Sequence, residues 1–349
     1  RQLYYQFLVE LRHTPCRHIV IVGGNHDSPN MLNAPRELLR TLDIQVLGCA
    51  PAEPEEQILE LRDPAGALEA VVAAVPFLRD RDIRQALPGE SSLERIERIQ
   101  EGIKQHYARL AELMQPYEKE NVPLIATGHL YAKGARAAAE QANIYLGDRE
   151  NMAAGDFPEL FDYIALGHLH RSQPVGKAAH IRYSGSLIPL SFSETEDEKS
   201  ITLAHFPKGN RMPELRFLPA PTFRRLRTLS GSPEEVQQQL SALAESKEGD
   251  LDDWVDALLQ LERVTPNLQA ELQAFAKDLP LQLLKIRIEQ EQRSLEDSLE
   301  EHRQLDELTP LEVFRKKCES LGKPPEEMEE LKRTFLELQD WMRERGGDS

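Results

Sequence analysis

A chain of 349 residues suffices for two or three domains, and its 40% hydrophobic and 29% charged fractions are those of a globular protein. The longest apolar run, residues 70–78, is too short to span a bilayer, and three widely spaced cysteines (Cys16, Cys49, Cys318) form no disulfide or zinc pattern, so a cytoplasmic protein with no membrane partner is expected. The net charge of −17 argues against a general nucleic-acid surface, yet it is uneven: residues 1–221 carry 24 basic and 30 acidic side chains and residues 222–349 carry 18 and 29, so a DNA contact in the first part needs only a local basic patch or bound metal ions.

The chain opens on an amphipathic helical pattern (Leu3, Tyr4, Phe7, Leu8, Leu11) with no initiating methionine, and is read as a fragment. Residues 18–22 (His-Ile-Val-Ile-Val) predict a buried parallel strand. It stops at Gly23-Gly24 and delivers Asn25, His26 and Asp27 at its carboxyl end, where open α/β sheets gather ligands. Ser28 as cap and Pro29 in the first turn predict a helix through about Leu42. Two strands, around 58–61 and 70–75, flank an Asp63-Pro64-Ala65-Gly66 turn.

Ser91-Ser92-Leu93-Glu94 is a capping box opening a long helix whose apolar positions are Leu93, Ile96, Ile99, Ile103, Tyr107, Leu110 and Met114. Next, residues 122–127 lead into Gly128-His129, and 161–166 into Gly167-His168-Leu169-His170. Residues 180–184, a Gly185-Ser186 turn and a strand near 200–206 follow. Residues 217–221, with Pro213, Pro219 and Pro221 close by, mark a boundary. Beyond it a strand, helix, strand (254–261), helix, strand (281–288) order predicts a small α+β domain. A capping box at Thr309-Pro310-Leu311-Glu312, a stop at Gly322 before Pro324-Pro325, and a last helix with Met328, Leu331, Phe335, Leu338 and Met342 on one face complete the chain.

Three buried strands thus each end in glycine followed by histidine or asparagine. Asparagine oxygen, imidazole and carboxylate suit manganese, iron or zinc, and a set without thiolates argues against structural zinc. The candidates are Asn25, His26, Asp27, His129, His168 and His170. The other six histidines lack the glycine-preceded strand-end setting and are read as surface or satisfied core residues.

Gly24-Asn25-His26-Asp27, Gly128-His129 and Gly167-His168-Leu169-His170, in this order, resemble the last three motifs of the calcineurin-like metallophosphoesterases. With residues 21–28, 76–83, 162–170, 183–192 and 308–314, the chain resembles the SbcD nucleases, the nuclease subunits of bacterial SbcCD complexes. The likeness covers essentially the whole chain, mostly by pattern in the C-terminal third. It implies an α/β fold: a four-layer α/β/β/α metallophosphoesterase sandwich over 1–218, a small α+β capping domain over 219–290 and a helical partner-binding region over 291–349.

By the same resemblance two divalent metal ions, Mn2+ foremost, are expected, with Asn25, His129 and His168 as ligands of one and His170 of the other. His26 resembles the catalytic histidine that assists the leaving oxygen, and Asp27 would orient it by accepting its ring N–H. Two cations neutralise an anionic phosphodiester, generate hydroxide and align in-line attack. The family implies ATP-dependent exonuclease action on double-stranded DNA and endonuclease action on single strands and hairpins. Its assembly is a heterotetramer in which an SbcD homodimer, meeting through helices near 3–11 and 30–42, docks its final helices on an SbcC-type ATPase.

The family's Asp-x-His and Gly-Asp-x-x-Asp motifs do not precede Asn25: no histidine has aspartate two residues before it, and Gly147-Asp148 and Gly155-Asp156 come too late. The expectation is that the opening strand-helix-strand unit is missing and that hydrolysis by this chain is impaired. Two rivals stand beside this reading: a stand-alone metallophosphodiesterase, and a non-catalytic assembly subunit whose metal site has been lost. Arg79, Arg81 and Arg84 suit phosphate contacts, but pairing with Asp80 and Asp82 is the favoured reading.

Overall fold

Two parallel strands, β1 (Ile19–Val22) and β2 (Ile44–Leu47), form one small sheet, with Ile19 opposite Ile44 and Val22 opposite Leu47. The structure is a computed structural model describing residues 2–83, 91–136, 152–247, 249–261 and 267–290, with 314, 318, 328 and 331–335. The main sheet has the order β3-β4-β5-β6-β8-β7: β3 (Ile58–Arg62), β4 (Leu68–Ala73), β5 (Leu124–His129), β6 (Tyr163–Gly167), β7 (Gln173–Val175) and β8 (Ala178–Tyr183). Its centre, β4-β5-β6-β8, is parallel, and both edges are antiparallel. Strands β9 (Ser200–His205) and β10 (Glu214–Pro219) form an antiparallel pair.

Alternation along β4 builds two cores from one strand. Val71 and Ala73 join a large cluster with Ile99, Ile103, Tyr107, Leu110 and Met114, while Val72 and Ala74 pack with Leu47 and the partly buried Val20 and Val22. The first set comes from a long helix, Ser92–Met114, whose Ser91 cap accepts the Glu94 N–H and whose Glu94 accepts the Ser91 N–H. A third cluster joins Leu8, Leu32, Leu39, Ile44 and Val46. These residues come from α1 (Gln2–Leu11), α2 (Pro29–Asn33), α3 (Arg36–Arg40) and β2. A short α4 (Asp80–Ile83) precedes the long helix, which is α5. Tyr107, Leu110 and Met114 are wholly enclosed, and each such side chain contributes roughly 1.5–3 kcal/mol.

The helix expected from Ser28 to about Leu42 is broken in two. Pro35 at its middle brings no N–H to the ladder, and α2 ends at Asn33 before α3 restarts at Arg36. Residues 217–221, read as a boundary, include the end of β10. Pro219 is tolerated there because β10 has a single partner.

The chain divides into two compact units, Arg1–Thr228 with Lys247–Val255, and Leu229–Ser246 with Asp256–Ser349. A three-stranded sheet has the order β11 (Leu226–Gly231), β12 (Asp253–Leu261), β13 (Leu281–Gln290). In the second unit, α6 (Pro233–Glu245) is capped by a Ser232–Glu235 box and packs on α7 (Leu268–Ala276). Phe314 and Phe335 stack with ring centroids 4.3 Å apart. The Thr309–Glu312 capping box, Arg84, Gly147-Asp148, Leu338 and Met342 lie outside the described residues. No helix among the described residues is long and apolar enough to cross a membrane.

Candidate metal centre

The carboxyl ends of β1, β5 and β6 meet at one place. Gly23 N–H donates to Leu47 O at 2.8 Å and Gly23 O accepts from Phe77 N–H at 2.8 Å, so the Gly23-Gly24 turn is pinned between β2 and the segment after β4. On the next strand, register sets His129 opposite Gly167. Both neighbouring glycines serve the imidazole. A Cβ on Gly24 would lie 2.6 Å from His129 Cε1, and one on Gly167 would lie 3.0 Å from His129 Nδ1. Glycine is required here for the close approach of a ring.

Asn25 Oδ1 is 2.9 Å from His129 Nε2, and the His129 and His168 rings are 5.2 Å apart, edge to face. His129 is driven down to about 4 by burial first, then by repulsion from His168, His26 and His170. His168 is likewise lowered to about 4 by burial, then by His170 and His26. These effects place His26 and His170 within electrostatic reach of both His129 and His168. His168 itself has φ +106°, a region that side-chain-bearing residues rarely adopt. Such strain costs on the order of 1–3 kcal/mol and persists where surrounding structure holds a functional geometry. Asp27 uses Oδ2 to accept the Gly24 N–H at 2.7 Å, closing the turn that carries Asn25 and His26.

His170 is held differently. Its Nδ1 lies 2.8 Å from Oε1 of Glu194, which is fully buried, so Nε2 is the ring nitrogen not engaged by that carboxylate. Lys199, only 7% exposed, donates to Glu194 Oε2 at 2.7 Å, to His170 O at 3.0 Å and to Ser186 Oγ at 3.0 Å. Burial raises the Glu194 carboxyl, but hydrogen bonds from Lys199, His170 and Leu190 N–H outweigh it and hold the group below its usual range. Gly185, at φ +84°, lets the chain pass over the His170 carbonyl, where a Cβ would meet that oxygen at 2.8 Å.

Glu194 and Lys199 were not legible as site residues. They lie 24 and 29 positions beyond His170, and neither stands in a glycine-hinged strand end. Elsewhere, Arg81 pairs with Asp82 at 3.6 Å and Asp80 with Arg95 at 2.7 Å, so the pairing reading holds for Arg81.

Among the described residues, no group of three or more His, Cys, Asp and Glu side chains stands ready-formed around one point. The convergent set is an amide with imidazoles. Two ligands of one ion, each ~2.1 Å from it at right angles, are about 3 Å apart. The 2.9 Å between Asn25 Oδ1 and His129 Nε2 matches that spacing, and it is also the length of an ordinary hydrogen bond. The two lowered histidines are neutral at pH 7, which leaves their lone pairs available.

The family model described as the type 5 capsule protein repressor C-terminal domain (SbcD_C) matches residues 222–320. The SbcD subunit of the SbcCD nuclease of Escherichia coli strain K12 is 35% identical over 324 residues, spanning 91% of this chain and 78% of that protein. Its namesake in Rhodobacter capsulatus is 30% identical over 306 residues, spanning 82% and 72%. The one from Bacillus subtilis is 30% identical over 209 residues, spanning 60% and 52%.

Proposed function

The chain belongs to the SbcD family, the nuclease subunits of SbcCD, and from that premise we propose that it is the nuclease subunit of an SbcCD-type DNA repair complex, cleaving phosphodiester bonds at the centre described above. The observation that carries this is the convergence of Asn25, His129 and His168 from three strand ends, two of the imidazoles kept neutral by burial and by repulsion from neighbouring histidines.

Asn25, His129 and His168 would hold one divalent ion and His170 would serve a second, with Mn2+ suited to an oxygen and imidazole donor set. When bound, such ions neutralise the phosphate and supply an activated hydroxide. The chain's own side chains do the positioning. Glu194 fixes the His170 ring through Nδ1, which leaves Nε2 as the nitrogen for a metal. Asp27 ties the turn beneath Asn25 and His26. His26 donates a proton or hydrogen bond to the departing oxygen.

Helices α1–α3, the β1-β2 sheet, the main sheet and α5 are linked by three successive apolar clusters, which supports reading the first unit as the four-layer metallophosphoesterase sandwich. Family membership supports the finer activities: ATP-dependent double-strand exonuclease and single-strand or hairpin endonuclease action, with an SbcC-type ATPase and a homodimer inside a heterotetramer. Equilibrium dialysis against Mn2+, with DNA hydrolysis assayed in the ATPase complex, tests the proposal. His129→Ala is expected to lose both Mn2+ binding and hydrolysis; unchanged Mn2+ binding in that variant overturns the site.

A further inference from the structure

Two phenols reach the backbone on either side of His129. Tyr107, from α5, donates its hydroxyl to Thr127 O at 2.9 Å, just ahead of the imidazole in the chain. Tyr183, at the end of β8, donates to Leu130 O at 2.7 Å and accepts the Ala132 N–H at 2.8 Å, just after it. Strand β8 is not a neighbour of β5: β6 lies between them, with Leu166 opposite Tyr183. The Tyr183 side chain therefore crosses a strand to hold the loop that follows β5. The same strand end continues into Ser184-Gly185-Ser186, where the Ser186 N–H donates to His170 O at 3.0 Å. One stretch of chain thus grips the loops that carry His129 and His170.

Both side chains are wholly buried in the large apolar cluster. Packing alone asks for phenylalanine at such positions, since a buried hydroxyl left without a partner is costly. What the hydroxyls add is a fixed bond to one particular stretch of backbone, and a phenol can donate and accept at once, as Tyr183 does. Burial pushes both phenols far up, so they stay protonated at neutral pH. The Tyr107 ring is itself held edge to face by Phe157, with centroids 5.0 Å apart. Gly128 belongs to the arrangement, because a Cβ there would fall onto the Tyr107 hydroxyl. A simpler explanation is that each hydroxyl merely met the nearest polar atom. Against it, all the backbone groups engaged flank His129, and they are reached from two separate elements.

The imidazole has no slack of its own. A Cβ on Gly24 or on Gly167 would crowd it, and Asn25 Oδ1 meets its Nε2 at 2.9 Å. A shift of the β5 end must therefore appear as a shift of the ring. We propose that Tyr107 and Tyr183 are positioning residues for the metal centre. Their hydroxyls fix the backbone around His129 and so set where its Nε2 stands relative to Asn25, His168 and the His170 loop. The metal part of this inference rests on the proposed function; the placement of the ring does not.

The test compares Tyr107→Phe and Tyr183→Phe with Leu110→Ala in the full chain. Leu110 is a wholly buried, purely apolar member of the same cluster on α5, so its truncation lowers the melting temperature without removing a bond to the β5 backbone. Each phenylalanine variant is expected to weaken Mn2+ binding about tenfold in equilibrium dialysis, the scale seen when a group behind a ligand is lost, and Leu110→Ala less than twofold. Histidine-ring nitrogen NMR of the metal-free protein gives a readout that stability alone does not move. In the wild type the contact with Asn25 Oδ1 keeps the proton on His129 Nε2; in the phenylalanine variants the ring shifts are expected to move toward the averaged values of a mobile neutral imidazole. Wild-type ring shifts or wild-type Mn2+ affinity in both phenylalanine variants overturns the proposal. So does a loss of affinity no larger than that of Leu110→Ala at an equal fall in melting temperature. If the wild type itself binds no Mn2+, the metal reading falls, and the His129 shifts alone then decide whether the phenols place the ring.

Discussion

Glu194 Oε1 and His170 Nδ1 are 2.8 Å apart, and the same carboxylate receives Lys199 Nζ on its other oxygen at 2.7 Å. A buried carboxylate therefore sets which nitrogen of His170 faces the centre, and a buried ammonium keeps that carboxylate ionised. Glu194→Gln preserves the shape and removes the charge. It is expected to weaken Mn2+ binding about 10–100-fold, read by equilibrium dialysis. It also takes from the buried Lys199 its nearer carboxylate, leaving Asp197 at 3.8 Å, and is expected to lower stability in urea unfolding by up to about 3 kcal/mol. The double variant Glu194→Gln/Lys199→Met is expected to recover stability but not metal affinity. Recovery of both would show that Glu194 acts only as a structural anion.

The metal-centre candidates were legible because each sits directly after a glycine-hinged apolar strand, a local signal. Glu194 was not, since its contact with His170 spans 24 residues and no nearby pattern marks it. Among strands, β4 and β5 have enough buried positions to announce themselves. The four residues of β2 follow Asp43, at φ +57°, too closely for a period to show, and β7 contains Pro174 on a sheet edge. Pro35 did carry a readable break signal inside the expected 28–42 helix, and the capping strength of Ser28 masked it.

Gly24 is where a single methyl group reaches the metal centre. Its Cβ would lie 2.6 Å from His129 Cε1, and the ring cannot swing aside without leaving Asn25 Oδ1. Gly24→Ala is expected to cost about 1–3 kcal/mol of stability from overpacking and to weaken Mn2+ binding by at least tenfold. Gly155→Ala, at a position where a Cβ meets nothing and the backbone is not left-handed, serves as the comparison and should bind Mn2+ as wild type does. Equal Mn2+ affinity in both variants would place His129 outside the ligand set.

The same burial makes the metal-free protein sensitive to mild acid. His129 and His168 titrate near 4 in the folded chain, whereas an unfolded histidine takes its proton near 6.5. Between these values the unfolded state binds more protons, so stability is full above about pH 6.5 and is lost as pH falls toward 4. The loss is on the order of 3 kcal/mol for each histidine across the whole window. Urea midpoints in EDTA should fall between pH 7 and pH 5, a range in which carboxylates stay mostly ionised. His129→Gln/His168→Gln should flatten that fall. A midpoint flat in wild type over this range would mean that the two imidazoles are charged in the fold.

His26 is assigned to proton delivery and the other histidines to metal, and one comparison separates the two roles. His26 lies close enough to lower both His129 and His168, so proximity alone does not distinguish donor from ligand. His26→Ala is expected to leave Mn2+ affinity within twofold of wild type and to slow DNA cleavage about 10²–10⁴-fold, the scale of general acid assistance. With bis(p-nitrophenyl) phosphate the departing phenolate is stable without a proton, so the deficit should shrink by at least tenfold. His129→Ala, by contrast, should lose Mn2+ and both activities together. If His26→Ala slows the two substrates equally and releases the metal, the imidazole is a ligand, and the departing oxygen takes its proton from elsewhere.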